Sequence, residues 1–170
     1  VRIMGVTSWN PGTNWRNLYA AAILKNDGTV SALGAKEFGG DNDVTSNLKD
    51  IAAVFSTGGA MIGLRKDKTL TSWGSSEFGA NETLFKGIAN IKTVFTGIYD
   101  ISLLHEDNTV TCIHKVSLAL YGNEIEKYIV YPVNISDTAE IYSNNRAFVG
   151  VTKIGVAKGW GTASSGGILP

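Results

Sequence analysis

Acidic residues recur in this sequence at a constant spacing, and a row of carboxylates is the first pattern that could do chemistry. Asp27, Asp67 and Asp107 lie about 40 residues apart, and Glu77 follows Glu37 at the same interval. A glycosidase needs two carboxylates about 5–10 Å apart in a cleft, but a catalytic pair is normally unique, whereas a structural residue recurs. We therefore interpret the aspartates as hairpin-turn residues and expect the glutamates to hydrogen-bond loop backbone.

Metal-ligating side chains are grouped at one place only. Cys112 and His114 stand two residues apart on a predicted strand, so they share a face, and with His105 they would supply three zinc ligands. No fourth ligand follows at a zinc-site spacing, and residues 39–43, which contain Asp41 and Asp43, lack the rest of a calcium loop. Because no phosphate loop or nucleophile elbow occurs either, we predict no metal, no other cofactor and no catalytic residue.

Aromatic residues away from the repeated positions are the remaining candidates for a ligand-binding surface. Exposed aromatic side chains on loops hold proteins or sugars, and function tends to be grafted onto one-off features of a repeated scaffold. The predicted ligand-binding residues are Trp15, Arg16, Tyr19, Tyr121, Tyr128 and Tyr131. The alternative, that these side chains cover an imperfect core, stays open.

Composition limits the classes of partner. The chain has 170 residues, 44% of them hydrophobic and 18% charged, which is typical of one globular domain. Its 15 basic and 15 acidic residues cancel, so no global field attracts nucleic acid or an anionic membrane. No apolar run approaches the roughly 18 residues of a membrane span, and the single cysteine excludes an internal disulfide. We expect neither a nucleic-acid partner nor membrane insertion.

The elements that position these residues follow from internal repetition. A shift of about 40 residues places residues 20–59 on residues 60–99, and many positions then match. The matches include Leu24 with Leu64, Gly34 with Gly74, residues 37–39 with 77–79, and Ile51 with Ile91. We divide the single domain into an N-terminal partial strand and loop (1–19), blades at 20–59 and 60–99, a blade with an insertion (100–147), and a partial blade with a tail (148–170).

Each repeat is predicted to be all-β. An apolar run at residues 21–25 is followed by Asp27-Gly28, which predicts a type I′ hairpin turn, and by an alternating strand at residues 29–33. One repeat is too small to bury its own faces, so repeats must pack on one another, and radial packing gives a propeller. We predict an all-β protein: a β-propeller, or a partial one, of about four antiparallel blades.

The string from Ile23 to Val30, with residues 73–79 of the next unit, resembles the repeat of the regulator of chromosome condensation family. In that family a leucine-x-x-aspartate-glycine-x-valine hairpin leads to tryptophan-glycine and then to an aromatic-glycine pair. The resemblance covers roughly residues 20–161 and implies a propeller, usually of seven blades when complete. The sequence departs from it at Leu33 and at Ile113, where the family motif has tryptophan.

Three arrangements stay open, because only about four blades are visible: part of a longer propeller, a four-bladed ring, or an arc that closes by self-association. Residues 1–9 are the candidate for a ring-closing strand. The chain begins at Val1 without a signal-peptide pattern, so we regard it as an excerpt or a processed product. Its alanine-, threonine- and asparagine-rich texture suggests a secreted or bacterial cell-surface protein, and the cytoplasm stays open.

The resemblance implies a binding protein and not an enzyme. Relatives of this kind include exchange factors for small GTPases, accessory repeats of ubiquitin ligases, inhibitors of β-lactamases, and bacterial surface or effector proteins. We expect a non-catalytic module that binds a protein partner through loops on one propeller face. A carbohydrate-binding, lectin-like propeller and a structural spacer within an adhesin are the two alternatives.

Overall fold

The computed structural model describes residues 2–4, 17–120 and 123–167. Thirteen strands account for most of these residues. They are β1 (Arg2–Met4), β2 (Ala20–Leu24), β3 (Val30–Gly34), β4 (Ile51–Ser56), β5 (Ala60–Arg65), β6 (Leu70–Gly74), β7 (Ile91–Thr96), β8 (Ile101–His105), β9 (Val110–Leu120), β10 (Asn123–Val133), β11 (Thr138–Ser143), β12 (Ala147–Thr152) and β13 (Ala157–Gly161).

Helical segments in the described residues are short. One α-helical turn, α1, spans Asn42–Thr45, and four 3-10 turns span Lys36–Phe38, Ser76–Phe78, Glu82–Phe85 and Ala163–Ser165. None of the helices in the described ranges is long and apolar enough to cross a membrane.

The strands form four antiparallel sheets in chain order, as the repeat predicts. Blade 1 is β1-β2-β3, blade 2 is β4-β5-β6, blade 3 is β7-β8-β9-β10 and blade 4 is β11-β12-β13. Each sheet is a meander, because consecutive strands pair with each other. Blade 3 has four strands in the described structure, and its last strand, β10, includes most of the insertion, residues 121–132, which is present in one repeat only. The prediction of an all-β propeller, complete or partial, with about four antiparallel blades is confirmed.

The blades are offset from the sequence units. β4 lies at the end of the unit 20–59 yet pairs with β5, the first strand of the unit 60–99. The same offset places β7 with β8 and β11 with β12. A repeat has no unique starting point in sequence, and the short turn at residues 57–59 makes β4 and β5 partners. Within the candidate ring-closing segment, β1 pairs with β2 inside blade 1, and the rest of residues 1–9 lies outside the described residues.

The hairpin turns differ from the predicted type I′ geometry. Gly28 N–H donates to Lys25 O (3.0 Å) and Lys25 N–H donates to Thr29 O (2.9 Å), which is a type I turn followed by a one-residue bulge. Gly28 alone of the Asp27-Gly28 pair has a positive φ, of 86°. The bulge position is therefore the one that demands a left-handed backbone.

The repeated aspartates are turn residues, as predicted. Asp27 Oδ1 accepts hydrogen bonds from Thr29 N–H (2.9 Å) and from the Thr29 hydroxyl (2.7 Å). Asp67 and Asp107 hold their own hairpins in the same way. These bonds lower the pKa of all three carboxyls from 3.8.

Neighbouring blades are joined by hydrogen bonds at both ends. At one end the bulge carbonyl of each hairpin accepts from the first strand of the next blade: Gly28 O from Ile51, Lys68 O from Ile91, and Asn108 O from Thr138. At the other end Gly58 N–H donates to Ile98 O (2.8 Å), and Ile98 N–H donates to Asn145 O (2.7 Å).

Apolar side chains fill the space between the blades in three clusters. Val54 and Trp73 belong to the cluster that includes blade 1, Ile62 and Ile101 to the next, and Phe148 and Trp160 to the last. The two tryptophans are buried core residues, as their repeat positions predict. The apolar faces of these small sheets are thus covered by neighbouring sheets.

Replacing Lys68 by glycine should stabilise the protein. Lys68 occupies the left-handed bulge position with φ 70°, which costs a residue with a Cβ about 1 kcal/mol. Its ion pair with Glu106 (2.8 Å) is half exposed and so contributes only a few tenths of a kcal/mol. We expect the free energy of urea unfolding to rise by about 0.5–1 kcal/mol in Lys68→Gly. Glu106→Ala is the control for the lost ion pair, and a destabilised Lys68→Gly variant would contradict the expectation.

Replacing the three turn aspartates by asparagine should make the free energy of unfolding less dependent on pH below neutrality. A carboxyl whose folded pKa lies below its unfolded value stabilises the fold above the unfolded pKa, and this contribution is lost as the pH falls through the folded pKa. Asparagine retains the turn-forming oxygen but does not titrate. Urea midpoints at about pH 7 and about pH 3 should therefore differ less in the triple Asp27→Asn, Asp67→Asn, Asp107→Asn variant than in the parent. An unchanged pH dependence would show that these bonds do not contribute.

Candidate functional site

One end of the blades carries the features that depart most from the repeat. The connections between first and second strands, residues 57–59, 97–100 and 144–146, lie at this end, together with the equivalent residues 17–19 of blade 1. We call this end the turn face.

A repeated polar side chain organises the turn face. Asn17, Thr57 and Asn144 occupy one repeat position, and each accepts a hydrogen bond from a backbone N–H three residues later. Each also donates to a carbonyl of a 3-10 turn, namely Phe38 O (2.7 Å), Phe78 O (2.7 Å) and Ser165 O (2.8 Å), respectively. Blade 3 has Gly97 at this position and must hold its turn differently.

A row of aromatic rings crosses the turn face. Tyr19 stacks on Phe38 (ring centroids 4.5 Å apart), Phe38 meets Phe78 edge-on (6.2 Å), and Phe78 stacks on Tyr99 (5.0 Å). Gly59 has the repeat position of Tyr19 and Tyr99, and a Cβ there would lie 2.6 Å from Phe78 Cδ2 and 2.8 Å from Phe38 Cδ1. The absence of a side chain at Gly59 is what lets the two phenylalanine rings approach each other.

A two-stranded ribbon extends blade 3 at the turn face. β9 and β10 have 11 residues each, against three to six in the other strands. Their pairing continues past the end of β8 at Ile101, through Lys115 opposite Tyr128 and Leu118 opposite Ile125. We call residues 114–120 and 123–129 the ribbon.

The two faces of the ribbon differ in chemistry. Residues directly opposite each other in an antiparallel pair share a face, and successive residues alternate. One face carries Lys115, Ser117, Glu124, Glu126 and Tyr128, and the other carries Val116, Leu118, Ile125, Lys127 and Ile129. Leu118 is 37% exposed and Ile125 is 46% exposed. The ribbon therefore presents an apolar cross-strand pair to solvent.

A buried carboxylate fixes the point where the ribbon leaves the blade. Asp100 is 0% exposed, and its Oδ1 accepts from Lys115 N–H (2.8 Å) and bonds His114 Nδ1 (2.9 Å). Arg146 Nη2 donates to Lys115 O (3.4 Å). In the other blades the equivalent N–H donates to a backbone carbonyl, as Ser75 does to Gly59 O (3.0 Å). Asp100 thus replaces a backbone acceptor with a side chain.

Further contacts hold the polar face of the ribbon against blade 2. Lys115 Nζ lies 2.7 Å from Glu126 Oε2 and 3.8 Å from Glu77 Oε1, and it also lies over the Tyr99 ring at 4.5 Å. The Tyr128 hydroxyl donates to Glu77 O (2.9 Å). Burial raises the pKa of Tyr128, and the nearby negative charge of Asp100 adds to the shift. The hydroxyl therefore remains a proton donor at neutral pH.

The structure brings some of the predicted site residues together and separates others. Tyr19, 56% exposed, begins the aromatic row, and Tyr128 lies at the base of the ribbon, so both belong to the turn face. Tyr131 instead packs in the cluster that contains Cys112, and burial raises its pKa. Its assignment to the binding surface is not supported by this position. Trp15, Arg16 and Tyr121 lie outside the described residues.

The residues considered as metal ligands are engaged elsewhere. Burial raises the pKa of the Cys112 thiol to about 12, so it stays protonated. His105 contacts Ala89 O (3.2 Å) and Thr111 Oγ1 (2.9 Å), whereas His114 contacts Asp100. Within residues 2–4, 17–120 and 123–167, no group of three or more His, Cys, Asp or Glu side chains could hold a metal ion.

The expectation for the repeated glutamates is wrong. The side chains of Glu37 and Glu77 are exposed, and in the described residues neither hydrogen-bonds loop backbone. Glu77 instead pairs with Lys115, a residue of the insertion-bearing blade. Backbone hydrogen bonds and side chains such as Thr57 already hold the 3-10 turns. The turns therefore do not need a bond from the glutamate carboxylates.

Sequence reasoning missed Asp100, Lys115 and Arg146. A signal was present for two of them. Arg146 has the repeat position of Tyr19 and Tyr99, and its guanidinium lies over the Tyr99 ring at 5.6 Å. Asp100 stands where the repeat has Ala20 and Ala60, which are both buried, so a carboxylate replaces an apolar side chain at a core position.

Known structures share this architecture. The chain superimposes on yeast RCC1 (Prp20) in its complex with Kap60 with a TM-score of 0.65 and 15% identity, over 92% of this chain and 45% of that one. Prp20p from Saccharomyces cerevisiae, described with its binding to Gsp1p and histones, gives a TM-score of 0.65 and 16% identity, over 86% of this chain and 44% of that one. The ectodomain of the receptor kinase CR4 from Physcomitrella patens gives a TM-score of 0.58 and 14% identity, over 86% of this chain and 37% of that one.

These matches show the fold. The chain is built from RCC1-like β-propeller repeats, and it spans less than half the length of the solved proteins that it matches. No family model and no curated protein matches the sequence. Identities of 14–16% carry no activity or partner from those proteins to this one.

Removing the Asp100 carboxylate should destabilise the protein and loosen the ribbon. Asp100→Ala leaves the Lys115 N–H without its acceptor in a buried site, so we expect a loss of about 2 kcal/mol in the free energy of urea unfolding. Asp100→Asn retains an oxygen acceptor of the same shape and should lose less. Equal stability of Asp100→Ala and the parent would show that the carboxylate does not hold the ribbon.

Proposed function

We propose that this chain is a non-catalytic binding module that holds a protein partner on its turn face, against the ribbon. The observation that carries the proposal is the exposed apolar pair Leu118–Ile125, displayed on a ribbon that occurs in one blade of four. A feature restricted to one repeat does not serve the repeated fold, because the other blades pack without it.

The ribbon has the properties expected of a binding element. Its base is fixed to the blade by Asp100 and to blade 2 by Tyr128, so little order has to be gained when a partner binds. Its exposed leucine and isoleucine share their face with Lys127, a charged and exposed side chain. An apolar centre with a polar rim is the usual arrangement in protein–protein interfaces.

The aromatic row supplies a second part of the same surface. Tyr19 and its neighbour Leu18 are exposed in the described structure, at the far end of the row from Tyr99. Aromatic residues are enriched among those that dominate binding energy. A partner that contacts both the ribbon and Tyr19 would span the turn face from blade 3 to blade 1.

The structural neighbours support a protein partner. Yeast RCC1 was solved in a complex with Kap60, and Prp20p is described with binding to Gsp1p and histones. These partners are proteins, and the shared architecture makes a protein the first class to test. A secreted or bacterial cell-surface location, which the composition suggested, is part of the proposal. The start of the parent open reading frame tests it, because a signal peptide would be encoded there.

Carbohydrate binding is the competing function, and the exposed ring of Tyr19 is the observation in its favour. A sugar would stack on that ring and would not need the ribbon. A spacer role in an adhesin predicts no ligand at either place. The experiment below separates the three.

Immobilised chain should retain protein partners from an extract of the source organism in a ribbon-dependent way. Leu118→Ser combined with Ile125→Ser removes the apolar pair, and we expect it to reduce the recovery of such partners at least about tenfold. The matched control is Ile154→Ser combined with Val156→Ser, which removes an apolar pair that is even more exposed from the hairpin at the opposite end of blade 4. The control should bind as the parent does.

Two results would contradict the proposal. Equal recovery by the ribbon variant and the parent would place the partner elsewhere. Binding to a glycan array that is lost in Tyr19→Ala and retained in the ribbon variant would replace the protein partner with a sugar.

A further inference from the structure

The ribbon has an open backbone edge at the turn face. In β9, Lys115 directs its N–H to Asp100 and its C=O toward Arg146, both on the β8 side of the strand. Because the backbone groups of successive residues alternate between the two edges of a strand, the N–H and C=O groups of Ser117 and Ala119 lie on the same edge as those of Lys115. β8 begins at Ile101, opposite Ile113, and no other described strand pairs with this edge.

The start of the open edge carries an unused acceptor and an unused donor. Asp100 Oδ2 and Arg146 Nε are both buried, and neither has a hydrogen-bond partner among the described residues. Asp100 is wholly buried, so an unpaired oxygen on it destabilises the fold until a donor reaches it. An N–H donor satisfies this oxygen and a carbonyl or carboxylate satisfies the guanidinium. A peptide backbone offers both groups.

We propose that an extended peptide segment of the partner adds to blade 3 as a strand. It would lie along the edge of β9 that faces β8, beyond the point where β8 begins at Ile101. The new strand pairs with the backbone of Ser117 and Ala119 and begins beside Asp100 and Arg146. Addition of a strand to an exposed edge is an established mode of peptide recognition, in which main-chain hydrogen bonds give affinity and alternate side chains give specificity. This inference deepens the proposed function and rests on it.

The two faces of the ribbon specify the side chains of that strand. On one side of the sheet they lie beside Val116 and Leu118, which favours apolar residues at every second position. On the other side they lie beside Ser117, which favours polar residues. Arg146 lies where the strand begins and has one of its nitrogens engaged by Lys115 O, so a carboxylate fits there. The added peptide strand therefore alternates apolar and polar residues and carries an acidic residue at the end beside Arg146.

Proline at position 117 tests the edge directly. Ser117→Pro deletes the N–H that the added strand needs, whereas the bonds between β9 and β10 use Val116 and Leu118. Ser117→Ala is the matched control, because it loses the same hydroxyl, which bonds Glu124, and retains the N–H. The probe is a phage-displayed library of short random peptides, selected on the parent chain. Urea midpoints of both variants verify that they fold.

The account predicts selected peptides that alternate apolar and polar residues and carry an acidic end. They should bind Ser117→Ala as they bind the parent and Ser117→Pro about tenfold more weakly. Nuclear magnetic resonance should show slower amide exchange at Ser117 and Ala119 when the peptide is bound. The amides of Val116 and Leu118 should change little.

The outcomes separate this inference from the proposed function. Peptides that bind both Ser117 variants equally but are lost in the Leu118→Ser, Ile125→Ser variant overturn strand addition and leave the protein-binding face standing. Selection of no peptide at all overturns strand addition, and the extract experiment then decides the proposed function by itself. Peptides indifferent to every ribbon variant overturn both.

Discussion

The structure depends on the packing of each small sheet against the next. A blade of three short strands has two faces and cannot bury either one by itself, so its apolar side chains are covered only when neighbours lie on both sides. The backbone bonds from Ile51 to Gly28 O and from Ile91 to Lys68 O set the distance between successive blades. The left-handed bulge in each hairpin is what turns that carbonyl toward the next blade. Gly28 adopts this conformation without strain, whereas Lys68 adopts it against the preference of a residue with a Cβ, in a turn where its N–H donates to Arg65 O and its carbonyl accepts from Ile91 N–H.

The same dependence explains why the ribbon extends from the end of blade 3. A repeat that must pack identically at every interface tolerates change only where the blades do not touch, which is at their ends. Blade 3 retains apolar side chains at its core positions, such as Ile101 and Ile113, although Ile113 stands where the motif has tryptophan, and it lengthens only beyond them. There β9 continues as a strand, and Asp100 satisfies the Lys115 N–H that a backbone carbonyl satisfies in the other blades. The ribbon is therefore an addition that leaves the interblade contacts in place.

The fold was predictable because its signals repeat. Leu24 matches Leu64 and Gly34 matches Gly74 because the members of each pair occupy equivalent positions in successive repeats. Each repeat therefore supports the strand assignment of the other. The blade limits were not predictable from the repeat, since a periodic sequence gives the period and not the starting strand. Type I′ was the wrong turn for Asp27-Gly28 because a type I turn with a bulge also places glycine at a left-handed position.

The site was only partly predictable, because its contacts join residues that the repeat does not relate. Tyr128 was found through its position in the insertion, and Tyr131 was grouped with it although alternation along β10 sends it to the core. Asp100, Lys115 and Arg146 come together where β9 extends past the first residue of β8, and no local sequence pattern predicts that extension. Glu77 was assigned a repeated role, yet its partner Lys115 belongs to the one blade that departs from the repeat.

The most direct test of the account is the rate of amide hydrogen exchange at Lys115 in the free chain, compared with that at Ser117. Both amides point away from β10, and only Lys115 has an acceptor, the carboxylate of Asp100. The account predicts slow exchange at Lys115 and exchange at Ser117 close to that of a solvated amide. Fast exchange at both would contradict the claim that Asp100 fixes the ribbon to the blade, and slow exchange at both would show that the edge is already paired.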